Sequence, residues 1–145
     1  MVFISVRLDA QNVESLPNRG EAIERRMFVH PSSTTVYFNK VGLIVEPLAH
    51  NEKFFVGSYQ LKVVPYFLKS ETGTLKLNAP DETVRKLTQG TEVTFTGKAR
   101  SNKTGKLKVI TGTATPSEKD KGSLIFSLET DNGPMVFKTF YHFAK

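Results

Sequence analysis

A chain of 145 residues with a formal net charge of +6 can bury a core without help from metals or cross-links. It contains no cysteine, which excludes disulfides, thiolate metal sites and cysteine nucleophiles together. Tryptophan is also absent while Phe occurs 11 times, so the aromatic packing must come from Phe and Tyr.

Met1 to Asp9 alternates, with Val2, Ile4, Val6 and Leu8 on one side and Phe3, Ser5 and Arg7 on the other, the period of a strand. It lacks the basic flank and long apolar run of a signal peptide, and no apolar run reaches the roughly 20 residues of a membrane-spanning helix. Residues 9–20 read as a loop around Pro17, Asn18 and Gly20, and residues 21–29 fit either a helix or a strand. Thr34 to Phe38 and Val41 to Glu46 are rich in β-branched and aromatic residues, with Gly42 a candidate bulge or close approach. A turn is expected at 47–52, then a long strand from Phe54 to Lys69 in which Pro65 marks an edge or bulge. Ser70 to Gly73 reads as a hairpin connection into Thr74 to Leu77.

One helix is expected near residues 79–89. Asn78, Pro80 and Asp81 supply a cap, an early proline and an acid at its start, Val84 and Leu87 an apolar stripe, and Gly90 a stop. Two further hairpins follow. Val93 to Arg100 turns at Ser101 to Gly105 and returns as Leu107 to Thr115; after a charged loop at 117–122, a strand through Leu124, Phe126 and Leu128 turns at Asp131 to Pro134 into Met135 to Phe143. A recurrent Thr-Gly pair (at 96, 104 and 111) reads as turns and bulges rather than duplication.

The expectation is a single β domain over 1–145, with an N-terminal strand and loop over 1–33 and a β core over 34–143. Its class is all-β and mainly antiparallel, a small barrel or sandwich of about 7–8 strands with one short helix. Strand order around the helix is OB-like with an added C-terminal hairpin; an up-and-down barrel or a two-sheet sandwich uses the same elements.

No catalytic, cofactor or metal constellation emerges. A phosphate loop fails because Leu107 follows Gly105-Lys106 where a hydroxyl is required and Arg100 stands where the first glycine belongs. His30, His50 and His142 lie far apart and read as turn, rim or surface residues. Asp81/Glu82 suit a helix start, Glu118/Asp120 alternate with lysines in a loop, and Glu129/Asp131 flank a turn. Asn102-Lys103-Thr104 is a formal glycosylation sequon, relevant only in a secreted eukaryotic protein. The aromatic last strand suits a packed core better than a lipid-facing barrel wall, because lysine and arginine recur along several strands.

The most directional charge feature is the hairpin near residue 100, where Lys98, Arg100, Lys103, Lys106 and Lys108 occur with no intervening acid. Alternation there predicts a ribbon with one apolar and one cationic face, either a solvated hairpin guarded against edge pairing or a groove for a polyanion. Lys62 and Tyr66 share a strand face and add a fragment of a stacking platform. The leading function class is a non-catalytic β-barrel binding or interaction module that engages a protein, envelope component or small ligand through its loops. The alternative is an OB-like module for single-stranded nucleic acid that uses this basic hairpin, and the third is an enzyme whose site the sequence does not reveal. The chain is expected to be soluble, cytoplasmic or secreted after removal of a leader, with no cofactor.

Overall fold

The computed structural model describes residues 25–131 and 133–144, so the expected strand at 2–8 and loop at 9–20 lie outside the described residues. Among the described residues, ten strands form one antiparallel sheet: β1 (Arg26–Val29), β2 (Ser32–Val36), β3 (Asn39–Val45), β4 (Leu48–His50), β5 (Phe54–Val64), β6 (Glu71–Asn78), β7 (Val93–Ser101), β8 (Leu107–Glu118), β9 (Lys121–Thr130) and β10 (Gly133–Ala144). Among the described residues one α-helix, α1 (Asp81–Thr88), joins β6 to β7. Eight strands close into a barrel, in which β5 pairs with β6, each strand from β6 to β10 pairs with the next, and β10 returns through β1 and β4 to β5. The two outside strands, β2 and β3, form a hairpin whose β3 pairs along the upper part of β5, Lys40 opposite Val64 and Val45 opposite Tyr59.

The connectivity is an up-and-down meander. β6 and β7, the strands either side of the helix, pair directly, Leu75 opposite Ala99 and Leu77 opposite Gly97. An OB barrel needs a Greek-key connection at this point. Among the architectures that the element order allows, the up-and-down barrel is the one formed.

Inward-pointing positions fill the barrel: Leu75, Leu77, Ile110, Leu124, Phe126 and Phe137 are all buried, and an interior void lined by Leu75, Leu77, Ile110, Leu124 and Phe126 among others holds about 20 Å³. That is near the space of one water, and only apolar side chains line it. Among the described residues the interior is therefore a packed core. Packing this tight needs glycine at inward positions. A Cβ on Gly112 would stand 2.5 Å from the Phe95 ring, and one on Gly73 would stand 2.1 Å from the carbonyl oxygen of Arg100. The Thr-Gly pairs at 96 and 111 thus mark mid-strand close approaches; Gly105 alone of the three sits in a turn, at φ 74°.

Local expectations fail where proline or a short turn outweighs β propensity. Residues 26–29 settle as strand, paired with β10. Tyr37 and Phe38 leave the expected strand to form the β2–β3 turn, with Tyr37 at φ 57°. Within 47–52, Leu48 to His50 form β4 rather than a turn, and the nearest atom to a Cβ on Gly42 would be 4.0 Å away, so that glycine is neither bulge nor close approach. Pro65 terminates β5 at Val64, and the true connection to β6 is a loop carrying one 3-10 turn, Phe67–Lys69, while Glu71 to Gly73 belong to the strand. The helix lies where expected, with Val84 and Leu87 buried and Gly90 at φ 87°, but its start carries no side-chain cap: Asn78 instead donates to the Thr96 hydroxyl at 2.7 Å.

Candidate functional site at the loop end of the barrel

The meander gives the barrel two ends of different chemistry. At the helix end, α1 packs over β7 and β8 and sends Val84 and Leu87 into the core. His50, buried on β4, donates from Nε2 to the Ala79 carbonyl at 2.7 Å and has Asp81 3.7 Å from its other nitrogen. It is a core histidine rather than a turn, rim or surface one. Acids and bases are interspersed here, with Arg25 beside Asp120 and Lys121 beside Glu118.

The opposite, loop end is built from the β2–β3 turn, the β5–β6 loop, the β7–β8 loop and the β9–β10 turn. Because Lys40 pairs with Val64, the tip at Tyr37 and Phe38 stands beside the start of the β5–β6 loop. That loop folds on itself: Phe67 N–H donates to the Pro65 carbonyl and Ser70 N–H to that of Phe67, while the Ser70 hydroxyl accepts from Val63 N–H at 2.8 Å. With the backbone satisfied locally, the side chains of Tyr66, Phe67 and Leu68 are turned outward. Exposure reaches 96% for Phe38, 87% for Leu68, 73% for Tyr37, 71% for Phe67 and 60% for Tyr66. Isolated exposed apolar residues are ordinary, but five in two neighbouring connections are a cluster of the kind that marks interaction sites.

The β7–β8 loop abuts this patch. Buried Ser101 organises it, its hydroxyl accepting from the N–H groups of Lys103 and Thr104, its carbonyl from Gly105 N–H. Asn102 N–H donates to the Thr72 carbonyl on β6, and the Lys103 ammonium donates to the Leu68 carbonyl, tying the two loops together. Lys62, Lys103 and Asn102 border one open groove of about 370 Å³. Lys69 lies 5.8 Å from the Tyr66 ring.

The structure splits the expected cationic ribbon. Lys98 and Arg100 point outward, but their cross-strand partners on the same face are Val109 and Leu107. Lys108 pairs with Ala99 on the inner face instead. There its ammonium is 3.0 Å from a Glu71 oxygen that also accepts the Tyr59 hydroxyl at 2.6 Å. Alternation holds within each strand but does not fix the relative phase of β7 and β8, and the register puts Lys108 out of phase with Lys98. Burial, then the Glu71 hydrogen bond and charge, push the Tyr59 phenol well above its usual range, and burial alone raises that of Tyr141. Lys108 thus belongs to a structural triad just beneath the loop end. Arg100 bonds its own loop, donating to the Gly105 carbonyl at 3.0 Å, and Lys106 stands in the same loop.

The arrangement leaves the loop end with uncompensated charge. Among the described residues, no carboxylate lies within ion-pair distance of Lys40, Lys62, Lys69, Arg100, Lys103 or Lys106. Glu71, the one acid on the β5–β6 side, is committed to Lys108 and Tyr59. Two further acids of this end are Glu129, near the end of β9, and Asp131, in the β9–β10 turn.

Two other features stand outside this end. His30 and His142 meet at 3.2 Å on the barrel wall, with Phe28 stacked on His142, a pairing created by the β1–β10 seam. Among the described residues, no group of three or more His, Cys, Asp or Glu side chains is placed to hold a metal. A shallow concavity of about 660 Å³ runs beneath the start of α1 over the outer face of β7, β8 and β9; Thr94, Thr96, Thr111, Thr113 and Ser127 line it, with no titratable side chain. No described helix is long and apolar enough to cross a membrane. Compared with protein-family models, curated proteins and solved structures, the chain matches none.

Proposed function

We propose that this protein is a non-catalytic binding module whose recognition surface is the loop end of the barrel. The observation that carries the reading is the coincidence at that end, among the described residues, of protruding apolar tips with cations that have no acidic partner within ion-pair distance. The packed interior among the described residues favours a partner engaged from outside. The cations make that partner anionic, and the outward rings give it something apolar to bury.

The direct test is retention on a polyanion matrix, heparin-agarose, over a salt gradient. The triple variant K62E/K103E/K106E is expected to elute at markedly lower salt. K86E/K119E/K121E, which changes the net charge equally at the helix end, is expected to elute far less displaced. Equal displacement of both would reduce the interaction to net charge and overturn the reading.

A second reading, single-stranded nucleic acid, draws on one observation. The basic hairpin itself contains no aromatic residue, yet Tyr66 and Phe67 lie in the loop that Lys103 holds, so rings and cations do meet. This reading expects a labelled oligonucleotide to bind with a steep salt dependence and to be released by Y66A; a Y66A protein that binds unchanged would remove it.

A further inference from the structure

We propose that the loop end docks on the surface of an anionic lipid bilayer, with Tyr37, Phe38, Phe67 and Leu68 entering the boundary between headgroups and acyl chains. This inference rests on the reading of the loop end as the recognition surface and names its occupant.

Three features favour a bilayer. The apolar groups stand on turns: Phe38 and Leu68, almost fully exposed, are convex tips. A protein or small molecule would need a matching pocket for each tip, whereas a lipid interface accepts a protruding side chain wherever it enters. The patch is also layered. Phe and Leu occupy the turns, the tyrosines Tyr37 and Tyr66 bring a ring with a polar end of the kind enriched at membrane interfaces, and lysines stand further back along the chain. Lys62 lies two residues inside the end of β5, Lys40 one residue into β3, and Lys69 at the close of the 3-10 turn. Four-carbon stems let these ammonium groups reach phosphates while their chains lie along the apolar layer.

The third feature is charge. Glu71 is neutralised within the barrel by Lys108, so no free carboxylate in the three basic connections repels an anionic headgroup. Each lysine brought next to an anionic leaflet adds roughly five-fold to partitioning, and the effect fades with salt. Nucleic acid fits less well, because a base stacks on a ring face beside a groove, and Leu68 offers no such face.

The experiment is co-sedimentation of the full chain with vesicles of phosphatidylcholine alone or mixed with phosphatidylserine. The protein is expected to pellet with the mixed vesicles and to stay in solution with phosphatidylcholine alone. F38S/L68S is expected to lower partitioning about ten-fold or more at an unchanged melting temperature. K62E/K103E is expected to abolish the salt-sensitive part, with K119E/K121E as the unaffected control. Absence of binding to the mixed vesicles, or binding of F38S/L68S equal to the parent chain, overturns the lipid proposal. If heparin retention still depends on Lys62 and Lys103 in that case, the binding-surface reading stands and only the occupant was wrong. Tyr66-dependent binding of an oligonucleotide without vesicle binding would assign the surface to single-stranded nucleic acid instead.

Discussion

The two ends of this barrel solve opposite problems with the same kinds of residue. At the helix end, apolar side chains are turned inward: α1 delivers Val84 and Leu87 to the core, His50 is buried against Ala79, and ion pairs form, Arg25 with Asp120 and Lys121 with Glu118. At the loop end, Phe, Leu and Tyr are turned outward while Glu71, the acid on the β5–β6 side, is held beneath the surface by Lys108. Burying apolar surface stabilises a fold, and exposing it in a cluster contributes nothing to that stability. The contrast separates a part of the molecule that maintains the barrel from a part that is free to meet something else.

The sharpest way to break the comparison is to attack the layer just under the loop end. Gly73→Ala places a Cβ against the Arg100 backbone and the Tyr59 ring, where neither the strand pairing nor the buried triad can give way. A loss of about 4 kcal/mol or more is expected in urea unfolding, or failure to accumulate folded protein. A mild effect would mean that this end is pliable, and the division between a rigid layer and free tips would fail.

A matched pair of leucines gives the next largest effect. Leu87→Ala at the helix end removes a buried side chain and should cost about 2–3 kcal/mol. Leu68→Ala at the loop end should change stability by no more than about 0.5 kcal/mol. Comparable losses from both would show that the exposed tip is packed in solution.

The smallest effect within ordinary pH reach concerns Tyr59. Its phenol holds its proton more tightly in the folded than in the unfolded chain, so its contribution is complete below the unfolded value of about 10 and declines as pH rises past it. Thermal stability should therefore fall on the alkaline side of pH 10, and more shallowly in Y59F. An identical alkaline decline in Y59F would place the titrating group elsewhere.

Much of the barrel was legible in the chain because its ladders are local. The alternation of Leu124, Phe126 and Leu128 and the turn signals at 101–105 and 131–134 define β7 to β10, each strand pairing with its sequence neighbour. Val84, Leu87 and Gly90 identify the helix for the same reason. What escaped depended on partners distant in sequence or on relative phase. β4 is a strand because Leu48 and Ala49 pair with Met27 and Arg26, which no local propensity encodes. The inward turn of Lys108 follows from the β7–β8 register, which the spacing of lysines leaves undetermined. The outward cluster was hidden behind a strand reading of 54–69. Pro65 marks a disturbance in that stretch, and ending the strand at Val64 is what frees Tyr66, Phe67 and Leu68 to form a tip.

The closed meander also fixes where assembly is hardest. From β5 to β10 every ladder joins neighbours in the chain, so each adds with a short loop closure. The β1–β10 seam instead joins segments such as His30 and Thr139, 109 positions apart, and does so over only four register pairs. Closing a loop about ten times longer than a hairpin costs about 2 kcal/mol more in chain entropy. The seam is therefore the slowest contact to form and the first to release, and amide exchange along β1 should exceed that along β8, which is held on both sides by its chain neighbours.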